Sequence, residues 1–125
     1  MATIVVGNEE VIFDFTGMER LWLGRRRLRV PLRAVRQVEY VDHPLRLARG
    51  PRRGLTVAGH TKIGVWGLFG RSRQLVHARR GVPGLRLRID RTDVDGRFDE
   101  VLVSTPEAVG LARAITRRTT PGARA

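Results

Sequence analysis

Apolar and polar residues alternate one by one along much of this chain, and a two-residue period is the mark of a half-buried strand. Val11, Phe13 and Phe15 alternate with Ile12 and Asp14, Leu28 and Val30 with Arg27 and Arg29, and Val38 and Tyr40 with Gln37 and Glu39. Successive side chains on a strand point to opposite faces, so each segment offers one face to a core and one to solvent. "RQLVHA" and "LRLRI", joined through "RRGVPG", read as two more strands, with Arg86 and Arg88 on the solvent side of the second. Thr3 to Val6 is another, turned back at Gly7-Asn8, residue types that suit a tight hairpin. Pro31 has no N–H to give a ladder and is expected to end its strand.

Two segments leave this period. In "TGMERLWLG", Thr16 and Glu19 have capping-box spacing, Met18, Leu21 and Trp22 fall at i, i+3, i+4, and Gly24 suits the position past a helix end. The pattern predicts a short helix near 17–23. In "TPEAVGLARAITRR", Thr105 is a good N-cap and Pro106 fits the first helical position. Arg113, Arg117 and Arg118 lie near the negative end of the dipole, and Ala108, Leu111, Ala112 and Ile115 form one apolar stripe. A helix over 106–118 is predicted, laid on a sheet by that stripe, with 119–125 as a flexible tail. "DHPLRLARGPRRGLTVAGH" carries two Pro and three Gly and reads as a long, mobile loop across 42–62. "KIGVWGLFGR", with Gly64, Gly67 and Gly70 evenly spaced, reads as a bulged strand or turn-rich segment.

At 125 residues the chain suits one domain, 1–118, which buries roughly two thirds of its unfolded surface and needs no staple. The expectation is a mainly β, α+β fold. About seven strands form a small, strongly bent sheet or partly open barrel, and the C-terminal helix caps its open end because its stripe needs a partner.

"DRTDVDGRFDE", residues 90–100, is close to a calcium loop. With Gly96 at loop position 6, Asp93 and Asp95 fit, but Arg91 stands at position 1 and Leu102 at position 12, where acids are required. A hairpin fits better. A three-residue loop, Val94-Asp95-Gly96, sets Leu87 opposite Val103, Ile89 opposite Val101, Arg91 opposite Asp99 and Asp93 opposite Arg97.

Charge sets the surface. Lys and Arg number 24 against 12 acids, a net +12, and every cation but Lys62 is Arg. From His43 to Ile89 there are eleven cations and no acid. Such a field draws polyanions: nucleic acid, anionic lipid or an acidic protein face. The candidate anion-binding residues sit beside expected turns and loops: Arg25, Arg26 and Arg27; Arg52 and Arg53; Lys62, Arg71 and Arg73; Arg79 and Arg80. Guanidinium forks bind phosphate in a bidentate way. Trp66 and Phe69 lie in the same basic region, as a stacking platform for single strands would, although two strand aromatics more often belong to a core.

Catalytic chemistry has little to work with. There is no cysteine, and His43, His60 and His77 have no spacing that makes a zinc ligand set. His43 and His60 read as loop residues and His77 as a strand residue. Ser72 and Ser104 lack a nucleophile-elbow frame. "GHTKIG" is followed by Val65 and Trp66 where a phosphate-binding loop needs Lys and Ser or Thr. No catalytic residue, metal or cofactor is expected, and the reading is a non-enzyme. The N-terminus has no signal-peptide pattern, and no apolar run approaches a membrane span. A cytoplasmic protein, free or peripheral at a membrane, is expected.

"MERLWLGRRRLRVPLRAVRQVEYV", "AGHTKIGVWGLFGR" and "FDEVLVSTPEAVGLARAI" together resemble the bacterial pleckstrin-homology-like proteins of the actinobacterial type. The first is similar to that family's helix followed by a strand ending in Val-Pro; the last is similar to its final strand and capping helix. The likeness runs from about Glu10 to Arg118 and rests on apolar, Gly and Pro patterns. It implies a non-enzymatic binding or scaffold module that engages a protein partner or anionic surface through basic loops. The other reading is a nucleic-acid binder using 43–89.

Overall fold

In a computed structural model of the chain, residues 3–119 are described except 16, 18–19, 21–22, 49–51, 58–59, 68–72 and 91–97; for 52–55 and 57 only the backbone is. The described residues are mainly β. Nine strands form two sheets: β1 (Thr3–Val6), β2 (Glu10–Asp14) and β3 (Arg27–Pro31) in one, and β4 (Val35–Val41), β5 (Arg52–Val57), β6 (Thr61–Trp66), β7 (Gln74–Arg79), β8 (Gly84–Ile89) and β9 (Glu100–Ser104) in the other. An α-helix, α1 (Ala108–Thr119), is the last described element. Where one strongly bent sheet or partly open barrel of about seven strands was expected, the described strands form two sheets. Pro31 and the 3-10 turn Leu32–Ala34 carry the chain from the small sheet to the large one, and a further strand forms where a loop was expected.

The alternation read from the sequence sets the core. Val11, Phe13 and Phe15 are buried, as are Leu28 and Val30, while Arg27 and Arg29 are exposed beside them. The β1–β2 hairpin forms with Val6 opposite Val11, and the Gly7 N–H donates to the Glu10 carbonyl at 2.8 Å, which puts Asn8-Glu9 at the tip. The inner face of the large sheet meets these residues with Ile63, Val65, Leu75, Leu85, Leu87, Val101 and Val103 in one cluster. Tyr40 departs from the pattern, being 41% exposed on edge strand β4, whose register shifts between Val35 and Gln37.

Of the expected helix near 17–23, Arg20 and Leu23 are helical and most of its other residues lie outside those described. Gly24 ends it, with its N–H on the Arg20 carbonyl at 3.0 Å and φ of 73°, a conformation that costs other residues more. The C-terminal helix begins at Ala108 instead of 106, after a turn in which the Thr105 hydroxyl caps the Glu107 N–H at 3.2 Å. Thr119, assigned to the tail, is its last residue and bonds back to the Ile115 carbonyl. The stripe is as read: Ala108 and Ile115 are buried, and Leu111 and Ala112 pack beside them. The helix rests on β1, β4, β8 and the 3-10 turn, so it bridges an edge of each sheet.

The order of the large sheet is β4-β8-β9-β7-β6-β5. β9 is inserted between β8 and β7, antiparallel to the first and parallel to the second. The "RRGVPG" connection therefore crosses one end of β9. The β8–β9 register places Leu87 opposite Val101 and Leu85 opposite Val103, two residues from the tight-hairpin register. The facing of apolar on apolar survives because a two-residue slip conserves side-chain direction. The slip lengthens the connection, and the expected tip, Val94-Asp95-Gly96, lies outside the described residues. Asp99 accepts the Arg73 backbone N–H at 2.8 Å and Asp90 pairs with Arg36, while Arg91, Asp93 and Arg97 of the expected charged pairs lie outside the described residues.

The outer face of the large sheet has its own small core. Trp66, Val76, Ala78 and Leu102 cluster there beneath Leu45, Leu47 and Ala48. These last belong to a strap, 42–48, built on the 3-10 turn Pro44–Leu47. The long-loop expectation for 42–62 fails because both halves find partners: the first packs on this face, and the second pairs as β5 with β6. Of "KIGVWGLFGR", expected as a bulged strand or turn-rich segment, the part within β6 pairs without a register break on both sides, and 68–71 lie outside the described residues.

Candidate functional site

A groove of about 930 Å³ opens at one end of the large sheet. Three segments line it: Tyr40–Arg46 leaving β4, His60–Lys62 entering β6, and Arg79–Pro83 leaving β7. Each is fixed by bonds that the sequence does not announce. The Arg80 N–H donates to the His60 carbonyl at 2.7 Å. The buried Ser104 hydroxyl, at the end of β9, accepts from the Arg79 N–H at 2.9 Å and donates to the Val82 carbonyl at 3.1 Å. The crossing of β9 by "RRGVPG" is thus tied down from beneath. The Lys62 ammonium donates to the Leu45 carbonyl at 2.9 Å, and Gln74 Nε2 donates to the Leu47 carbonyl at 2.8 Å. Pro44 is buried against Gly84.

The lining carries four permanent cations, Arg46, Lys62, Arg79 and Arg80, against one carboxylate, Asp42. The Tyr40 hydroxyl bonds that carboxylate, and this hydrogen bond, with some desolvation and the charge of Asp42, raises the Tyr40 pKa. Arg46 and Arg80 are exposed, and among the described residues Arg46, Arg79 and Arg80 have no carboxylate partner. Elsewhere some surface cations are matched: Arg27 with Asp14, Arg29 with Glu10, and Arg36 with Asp90. In the groove, positive charge in excess of carboxylate stands beside an apolar wall of Tyr40, Pro44, Leu45 and Pro83.

The expected site residues divide. Lys62, Arg79 and Arg80 come together here, although the ammonium of Lys62 is spent on the strap as well as on the groove. Arg46, His43 and His60 join them. His43 and His60 were read only as loop residues, and only their convergence in space gives them a place. Arg25 and Arg73 lie beyond the other end of β7, their guanidinium carbons 5.2 and 5.3 Å from the centroid of the buried Phe98 ring. Arg26 is exposed next to them and, with Arg20 and Arg27, lines a shallower groove of about 600 Å³. Arg27 is there neutralised by Asp14. Arg52 and Arg53 are in β5, with side chains outside the described residues, and Arg71 lies wholly outside them.

Three further residues change roles. Arg86, placed on the solvent face by its alternation, is mostly covered and bonds Glu100 at 2.7 Å and Glu39 at 3.1 Å. The outer face is covered at that point, so the period-2 pattern gave the direction of the side chain but not its exposure. Burial by itself would lower the Arg86 pKa; bonds to Glu100 and Glu39 outweigh it and the net shift is upward. Trp66 is buried in the outer cluster, and Phe69 lies outside the described residues. His77 is packed in the core, stacked on Phe15 with centroids 6.4 Å apart.

Among the described residues no helix is long and apolar enough to cross a membrane. No protein-family model, curated protein or solved structure matches the chain.

Proposed function

We propose that this chain is a non-enzymatic binding module of pleckstrin-homology-like organisation that engages an anionic surface through the groove between the strap and the Arg79–Pro83 connection. The observation that carries the reading is the convergence of Arg46, Lys62, Arg79 and Arg80 from three separate segments around a single carboxylate. Cations are costly to crowd unless something anionic compensates them, and loops pinned by backbone bonds hold them pre-organised, which lowers the entropy cost of binding. The apolar wall beside them suits an amphiphilic partner such as a lipid headgroup region.

A nucleic-acid reading of 43–89 is weaker. Single-strand binding wants exposed aromatic platforms along a basic groove, and Trp66 is committed to the outer cluster. The deciding assay is co-flotation with anionic and neutral vesicles at physiological salt, with DNA as soluble competitor. Each cation near an anionic bilayer contributes about 1 kcal/mol, so neutralising Arg79 and Arg80 together is expected to weaken flotation by about 2 kcal/mol, roughly 30-fold. Flotation unchanged in that variant, or abolished by DNA in the wild type, would sink the reading.

A further inference from the structure

Two histidines stand among the cations of the groove. His43 enters the lining from the strap and His60 from the turn before β6, and both are exposed. The third histidine, His77, is buried in the core against Phe15 and takes no part in that lining. Folding therefore sorts the three rings, two into the basic groove and one out of contact with solvent.

The charges around His43 and His60 come from every segment that meets there. Tyr40 and Asp42 arrive from β4, Arg46 from the strap, Lys62 from β6, and Arg79 and Arg80 from the end of β7. Asp42 is the one carboxylate of the lining among the described residues, and it already accepts from the Tyr40 hydroxyl. Ala58 and Gly59, just before His60, are uncharged, and no acid occurs in the sequence from His43 to Ile89. Of the acids close by in the sheet, Glu39 is bonded to Arg86, and Glu107, a little past β9, is not in the lining. Between about pH 5 and 8 carboxylates, guanidinium and ammonium groups ordinarily hold their charge, while imidazole gains and loses its own. The Tyr40 hydroxyl, raised above its usual 10.0, stays neutral there. His43 and His60 are thus the variable charges of a groove whose four other cations are fixed.

We infer that His43 and His60 are pH-dependent ligands of the groove, so that mild acid tightens its hold on anionic phospholipid headgroups. The inference rests on the groove's proposed function and adds two binding residues and a means of control. A neutral imidazole has one donor and one acceptor nitrogen, whereas a protonated ring donates through both, which suits phosphate oxygens. Protonating either ring adds charge of the sign the groove already holds, and a bound anion supplies the opposite sign. Proton and anion then promote each other by the same factor. Affinity is highest at the acid end of the imidazole range and falls as pH rises through it. Each cation near an anionic bilayer is worth about a factor of five, so the two rings together give roughly 30-fold.

The test floats the full chain on vesicles of phosphatidylcholine containing phosphatidylglycerol, at one ionic strength, at about pH 5.5 and 7.5 on either side of the imidazole range. The phosphodiester of this lipid keeps its charge across that range, so the vesicle does not itself titrate. Wild-type affinity is expected to rise roughly 30-fold from the higher pH to the lower. His43→Gln with His60→Gln is expected to bind as the wild type does at the higher pH and to lose most of the rise; both side chains are exposed, and His77 is left in place. A second readout follows the ring protons of His43 and His60 by nuclear magnetic resonance, with and without micelles of short-chain phosphatidylglycerol, and their titration midpoints are expected to move up when lipid is present. Wild-type flotation that is equal at both pH values overturns the inference and leaves the groove standing. A pH response undiminished in the double variant, or midpoints that lipid does not move, also overturns it. Flotation at neither pH removes the groove reading and the inference with it.

Discussion

Replacing Arg86 with methionine tests how the outer face of the large sheet is held. Arg86 lies on β8, with its side chain 14% exposed, and bonds Glu100 of β9, 5% exposed, through Nε at 2.7 Å and Glu39 of β4 through Nη1 at 3.1 Å. Gln74 of β7 bonds the other carboxylate oxygen of Glu100 and passes the connection to the Leu47 carbonyl of the strap. Arg86→Met leaves Glu100 in a covered site with the loss of its close cation, the exposed Arg88 standing 4.0 Å away. Breaking such a pair costs about 3–5 kcal/mol, because one uncompensated charge stays behind. Unfolding entropy near 2.1 cal/mol/K per residue gives about 0.26 kcal/mol/K for a chain this long, so the expected fall in Tm is about 12–19 °C. The control is Arg86→Met with Glu100→Met. Removing both charges lifts the desolvation cost, and the double variant is expected to be more stable than Arg86→Met alone. Urea unfolding followed by far-ultraviolet circular dichroism reads both. A loss below about 1 kcal/mol for Arg86→Met would place the pair with exposed surface bridges and refute the reasoning. So would a double variant as unstable as the sum of its parts.

Three further outcomes follow from the same geometry. Tyr40 is the only tyrosine, so phenolate absorbance reports it alone: its midpoint should lie above the usual 10.0, and Asp42→Asn should bring it down. Since the folded value is raised, the Tyr40 contribution to stability is fully present below pH 10.0 and is lost as pH rises through the folded value; identical midpoints in the two proteins would disprove the Tyr40–Asp42 bond. A Cβ at Gly84 would overlap the Val103 carbonyl and come within 3.2 Å of Pro44 Cγ, so Gly84→Ala should cost about 1–3 kcal/mol in urea midpoint at unchanged slope, and a neutral effect would show that the strap is not seated there. Ile115→Ala empties a fully buried position under α1 and should cost about 2–5 kcal/mol; a loss under 1 kcal/mol would mean that the helix is not docked by its stripe.

Local patterning determined a good deal of this protein. Period-2 alternation placed β2 and β3 and the buried members of each, a β-like run before Gly7-Asn8 placed β1, and Pro31 marked the end of β3. Thr105 and the stripe from Ala108 to Ile115 placed the last helix to within two residues. These features depend on neighbours a few residues apart, so a sequence displays them directly. What it does not display is pairing at a distance. Inserting β9 between β8 and β7, slipping the β8–β9 register by two and folding 42–48 over the outer face were decided by which surfaces could be covered together. The same packing turned Arg86 from a solvent-side cation into a covered ion pair and collected Arg46, Arg79 and Arg80 at one groove while sending Arg25 and Arg73 to the opposite end. Composition determined that the surface would be strongly basic, and tertiary structure decided where the charge went unmatched. A carboxylate cancels an arginine only within a few ångströms, and sequence separation does not measure that distance.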